Sequence, residues 1–141
     1  MVYSISRSDG ITLPLTTKRG GLISVPNRSG LNWGQRPGRN EDQAYIPVPA
    51  YIQKLEFFPE NGKQFFVEWD DGAQFEFVRA QFNGKAIQTP KDNAILGRYF
   101  RKRLGVDFGD PILLSHLLNY GRLDVDFYKE NEKKFLADFS V

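Results

Sequence analysis

The chain has 141 residues, 40% apolar and 26% charged, with no cysteine and a single histidine. Such a chain suits one globular domain and excludes a disulfide framework, a cysteine zinc site, a thiol nucleophile and any mechanism needing two histidines. The formal charge of +2 hides a segregation: residues 1–40 carry +5, 41–78 carry −6, 79–105 carry +6 and 106–141 carry −3. Two basic blocks separated by an acidic one can meet on one face of a compact fold and attract a polyanion. No apolar run approaches the ~20 residues of a membrane helix. The first seven residues lack the apolar core of a signal peptide, so a cytoplasmic location with no membrane partner is expected.

Ile11–Leu15 and Leu22–Val25 read as short strands around Arg19-Gly20-Gly21, and Ala44–Ile46 as another. The latter ends at Pro47-Val48-Pro49, where a short helix through about Lys54 starts. Asn61-Gly62 reads as a turn. Phe65, Val67 and Trp69 then alternate with Phe66, Glu68 and Asp70, and Phe75 and Phe77 alternate with Gln74, Glu76 and Val78. Asp71-Gly72 between them predicts a hairpin with a two-residue type I′ turn and one buried aromatic face.

Asn93–Leu104 reads as a helix with Asn93 as N-cap and Gly105 just past its end. Ile95, Leu96, Tyr99 and Phe100 share one face, and Arg98, Arg101 and Lys102 the opposite one. Arg103 points towards the apolar side, which requires either a dedicated partner or a frayed last turn. Gly97 costs about 1 kcal/mol against alanine in a helix and points to a close backbone approach. Ser115 is the expected cap of a short helix ending at Gly121. Leu123, Val125 and Phe127 alternate with Asp124, Asp126 and Tyr128 in a last strand, leaving residues 130–141 as a tail or edge element. The whole reads as one mainly β domain over residues 1–141, with its core at about 11–129. Two or three short helices interrupt a small barrel or pseudobarrel, since no βαβ alternation appears.

Two stretches lack any period. The first carries Asn27, Arg28, Ser29, Asn32, Gln35, Arg36 and Arg39, spaced by Gly30, Gly34 and Gly38, with Trp33 among them. An arginine fork matches the O6/N7 edge of guanine, and an asparagine or glutamine amide the N6/N7 edge of adenine. Trp33 either anchors the base of this arm or stacks on a nucleobase. The second runs through Arg79, Gln81, Asn83, Lys85, Gln88, Lys91 and Asn93 into the basic helix. Signals for catalysis are weak. His116 sits among leucines and reads as structural, and no His-x-Lys follows it. Glu132-Lys133-Lys134 matches half of a metal-dependent nuclease motif without a strand-borne aspartate nearby. No glycine-rich phosphate loop is present. Asp124 and Asp126 read as the solvent face of a strand.

The segment Arg28-Ser-Gly-Leu-Asn-Trp-Gly-Gln-Arg36 with Ala44-Tyr-Ile-Pro-Val-Pro49, Gly84-Lys-Ala-Ile87, Leu96-Gly-Arg-Tyr-Phe-Arg-Lys-Arg-Leu-Gly105 and Tyr120-Gly-Arg122 resembles a known family. It is similar to the B3-like DNA-recognition domain of type II restriction endonucleases, in the subgroup whose other half is a phospholipase-D-like nuclease. The resemblance spans about Leu13 to Lys129. It implies a B3-like seven-stranded pseudobarrel with two helices that grips double-stranded DNA through the major groove with an N-arm and a C-arm. By position the N-arm is Asn27–Arg39 and the C-arm about Arg79–Asn93. Lys18, Arg19, Arg98, Arg101 and Arg103 would serve phosphates or brace the arms. The family's catalytic histidines and lysines are absent, which leaves the recognition half of a restriction endonuclease, excised or free-standing, with a covalently attached nuclease domain as a possible neighbour.

The expected function is sequence-specific binding of double-stranded DNA with no catalysis, cofactor or metal. Arg28, Arg36, Asn32 and Gln35 are the expected base readers, joined by Lys85, Asn83 and Gln81, with guanines favoured. Arg101 is expected to support all sequences equally. The alternatives are a single-stranded nucleic-acid or protein interaction module and, less favoured, a metal-dependent nuclease.

Overall fold

The structure, a computed structural model, describes residues 10–80 and 84–141. Nine strands appear among them: β1 (Gly10–Pro14), β2 (Thr17–Arg19), β3 (Leu22–Ser24), β4 (Ile46–Pro47), β5 (Gln64–Trp69), β6 (Gln74–Ala80), β7 (Ala86–Gln88), β8 (Asp124–Asn131) and β9 (Lys134–Asp138). Helices α1 (Ala50–Gln53), α2 (Ala94–Leu104) and α3 (Leu114–Tyr120) and a 3-10 helix over Gly30–Gln35 complete the framework. Seven strands form one sheet in the order β1-β8-β9-β5-β6-β7-β4, rolled into a nearly closed barrel that brings β4 back beside β1. All neighbours are antiparallel except β5 and β9. This is the mainly β pseudobarrel with short helices that the strand pattern leads one to expect.

The aromatic alternation of β5 and β6 fills the interior. Phe65, Val67, Trp69 and Phe77 are buried, and Phe58, Phe127 and Phe135 join them in a ring cluster with centroids 5.0–5.5 Å apart around Phe58 and Phe65. Offset and edge-on pairs of this kind add to the gain from burial. Leu96 and Phe100 of α2 and Leu117 of α3 close the core.

Three local expectations are corrected. The β5–β6 turn has three loop residues rather than two. Trp69 and Ala73 form the last pair, the Gly72 amide returns to the Trp69 carbonyl, and only Gly72 has positive φ. That is a type I turn with a glycine bulge, and Asp71 is spared the left-handed conformation a type I′ turn would impose. The two-residue turn lies instead at Gly20-Gly21, both left-handed, joining β2 to β3.

Residues 130–141 are neither tail nor edge. β9 lies between β8 and β5, and Phe135, Leu136, Ala137, Asp138 and Phe139 are all buried. A strand covered on both faces has no polar alternation to betray it. Two caps also move. Ser115 lies inside α3, where Leu113 takes the N-cap position and its amide donates to His116 Nδ1 at 2.8 Å. Asn93 holds the N-cap position of α2 without a capping bond, and Asp92 Oδ1 accepts from the Ala94 amide instead.

Candidate nucleic-acid interface

The N-arm is not an open loop. The 3-10 helix folds its first half onto the barrel, burying Gly30, Leu31, Asn32 and Gly34. The Gly34 amide donates to Gln43 O, and a Cβ at Gly34 would lie 2.1 Å from Asn40 O, so only glycine lets the arm close on itself. The Tyr45 amide donates to Gly30 O and ties the arm to the start of β4.

Asp42 fastens the far end of the arm. Its carboxylate pairs with Arg101 Nε at 3.0 Å and Arg98 Nε at 3.3 Å and accepts from the Gly109 amide at 2.7 Å. Arg101 is 0% exposed; its Nε also donates to the Asp110 carbonyl, and its terminal nitrogens donate to the carbonyls of Gly97, Asp42 and Glu41. Burial pushes the Arg101 guanidinium below its ordinary pKa, against the pull of Asp42, Asp110 and Glu41. A Cβ at Gly97 would lie 1.5 Å from Asp42 O, so the glycine in α2 is where the arm's backbone crosses the helix.

Asn32, an expected base reader, is corrected to a strut. It is 1% exposed; its Nδ2 donates to the carbonyls of Pro26 and Ile112, and its Oδ1 accepts from the Ile112 amide at 2.8 Å. Nothing on that side chain remains to address a base. Arg101 is likewise corrected from the open face of α2 to an internal position. Gln35 is half-buried, with its amide donating to Glu41 O at 3.0 Å and Gly109 O at 3.3 Å.

Arg103 has its dedicated partner. Its two terminal nitrogens each donate to one oxygen of Asp70 at 2.8 Å, and further bonds reach Tyr99, Tyr120 and Phe139 O. Burial raises the Asp70 pKa, but the Arg103 hydrogen bonds, the Phe139 amide and the Arg103 charge outweigh it and hold the carboxyl below its ordinary value. Arg122 gathers Asp124, Asp126 and Asp138 at 3.1, 2.9 and 3.4 Å. Asp124 and Asp126, on the face read as solvent-exposed, are thus clustered with Asp138 about a guanidinium.

The remaining arm cations stand apart from these pairs. Arg28, Arg36 and Arg39 are exposed, and no carboxylate lies within ion-pair distance of them among the described residues. Arg36 and Arg39 lie over the Trp33 ring at 4.3 and 4.4 Å, and Tyr45 meets that ring edge-on at 5.6 Å. Arg36 Nε donates to Arg28 O, and Arg39 donates to Gln43 Oε1. Two like charges gathered on one indole without a counter-charge make a ready anion site. Trp33 therefore serves as a platform for arginines.

From the second stretch, Lys85 borders the same depression as Ser29. Lys85 is exposed, and its carbonyl accepts from the Val48 amide at 2.7 Å. The depression measures about 360 Å3 and is floored by Leu15, Leu31 and Val48. The two irregular stretches thus border one depression. Arg79 is half-buried and braces its own arm through Gly84 O at 3.0 Å. Gln88 and Asn93 are half-buried, Lys91 is exposed with φ 65°, and Asn27, Lys18 and Arg19 are exposed. Gln81 and Asn83 lie outside the described residues.

Sequence reasoning missed Asp42, whose role depends on α2 lying far along the chain. It also missed β2, although Gly20-Gly21 is a hairpin signature that could have found it.

A comparison with curated proteins finds no match. The family model described as the NgoFVII C-terminal B3-like DNA-binding domain matches residues 4–131. That match covers most of the chain and agrees with the pseudobarrel. The chain belongs to this family of B3-like DNA-binding domains of restriction endonucleases.

Proposed function

We propose that the chain reads a specific sequence in double-stranded DNA, with the N-arm and C-arm entering the major groove from the two sides of the depression they share. The observation that carries this reading is the division among its cations. Arg98, Arg101, Arg103 and Arg122 each face a carboxylate, whereas Arg28, Arg36 and Arg39 are held on the surface without one. Desolvating a guanidinium is costly unless a partner replaces water, and DNA offers both phosphates and guanine edges. Arg28, Arg36, Asn27 and Lys85 are the base-reading candidates. Arg101 and Asn32 keep the N-arm in shape.

Holding the arms rigidly before binding lowers the entropy lost on association. The nuclease reading loses support, because Glu132 of the half motif pairs with Lys129 and the neighbouring Asp124, Asp126 and Asp138 are engaged by Arg122. The single-strand reading loses its best platform, because Arg36 and Arg39 occupy the Trp33 ring. Selection of bound duplexes from a random pool tests the proposal. One related set of duplexes should be enriched, and the same strands unpaired should compete poorly. Recovery of no common sequence, or equal competition by single strands, would overturn it.

A further inference from the structure

The seven-stranded sheet ends in β1 and β4, which lie side by side with no ladder between them. Pro14 closes β1 and Pro47 closes β4. Proline brings no amide to a ladder, so both residues discourage pairing at these edges. The seam stays open as the depression of about 360 Å3 that Ser29 and Lys85 border.

The walls of this slot are unlike the outside of a duplex. Pro14, Leu15, Leu31, Pro47, Val48 and Pro49 make it largely apolar, and no carboxylate lines it. Gln53 Nε2 donates to the Val48 carbonyl at 2.7 Å, which leaves Oε1 as an acceptor, and Thr16 and Ser29 bring hydroxyls. The volume falls within the range of about 300–1,000 Å3 typical of sites for small molecules. Duplex DNA shows phosphates and polar base edges, and hides its apolar base faces in the stack. A thymine methyl is the exception on the groove edge, and it would fill only a small part of this space. A base turned out of the stack exposes both faces, and such a base is held between apolar side chains and read by hydrogen bonds on its edge.

We infer that the seam seats one nucleobase turned out of the duplex that the arms hold. The proline rings and Val48 take its faces, and Thr16, Ser29 and Gln53 Oε1 address its edge. The inference rests on the DNA-binding reading and adds to it a local opening of the target. Ser29 has extended backbone and its hydroxyl makes no capping bond, so Ser29→Phe narrows the slot without straining the arm.

The test uses the full chain and a duplex recovered from the random-pool selection. Each base in turn is placed opposite an abasic residue, which frees it from its partner and lowers the cost of turning it out. At one position binding should tighten about tenfold, and 2-aminopurine placed there should brighten when protein is added. At the other positions binding should be unchanged or weaker. Ser29→Phe should abolish both the gain and the brightening while melting near the wild type. Thr16→Phe, from the β1 side of the slot, repeats the test if Ser29→Phe melts early. Absence of any position that gains would overturn the inference, as would a gain that survives in a folded slot-filling variant. Enrichment of one sequence without such a position leaves the sequence reading standing, whereas a pool without enrichment overturns both.

Discussion

Arg101 and Arg36 carry the same side chain in opposite surroundings. Arg101 is sealed beneath the N-arm with Asp42, which is itself 4% exposed, whereas Arg36 lies on the surface over Trp33. Arg101→Ala should therefore act on the fold. It takes from the buried Asp42 carboxylate its buried guanidinium partner, leaving Arg98 and the Gly109 amide. It also orphans the carbonyls Arg101 served, and a loss of ~3–5 kcal/mol is expected in denaturant unfolding. Asn32→Ala orphans the Ile112 amide and the carbonyls of Pro26 and Ile112, each worth ~1–3 kcal/mol where water cannot reach. Arg36→Ala should leave unfolding within ~0.5 kcal/mol of wild type. If Arg101→Ala melts like the wild type, the assignment of that residue to the scaffold is wrong. The partner of Arg103 was legible in part, because its place on the apolar side of the helix demanded one. The burial of Arg101 was not, because Asp42 lies 59 residues away and nothing local links them.

At the scale of elements, α2 and the arm share a crossing that a single methyl group would block. An exposed helical glycine replaced by alanine gains about 1 kcal/mol. At Gly97 the sign should reverse, because the new carbon would sit on the Asp42 carbonyl. Gly97→Ala is expected to lower the melting temperature and weaken binding to a selected duplex. A stabilised variant that binds normally would contradict the crossing. The glycine's cost within a helix made this approach visible in the sequence. The hairpin β5–β6 was equally visible in its alternating aromatics, although its turn chemistry was not, since Asp-Gly serves both the two-residue and the bulged turn. β9 was illegible because Phe135 to Phe139 are buried without alternation and follow a charged stretch resembling a tail.

Across the whole molecule, charge segregation led to the expectation that two basic blocks would meet, and the two irregular stretches do border one depression, through Ser29 and Lys85. It could not separate scaffold cations from surface ones, since that depends on which carboxylates fold back onto them. The scaffold pairs also set the response to acid. Asp70 has a folded pKa below its ordinary value, so its contribution is complete above the unfolded pKa of about 3.9 and is lost as pH falls through the folded one. Melting temperature should decline below about pH 4, and Asp70→Asn should flatten that decline. An unchanged acid profile in Asp70→Asn would remove the Arg103 pair from the account.

The central claim is that the unpaired arginines of the N-arm read sequence while the paired ones hold the fold. The affinity of Arg36→Ala for a selected duplex relative to a scrambled one, measured beside the wild type at one salt concentration, tests it most directly. The ratio should fall by ~1–3 kcal/mol, with binding to the scrambled duplex reduced far less. An equal loss on both duplexes would contradict it.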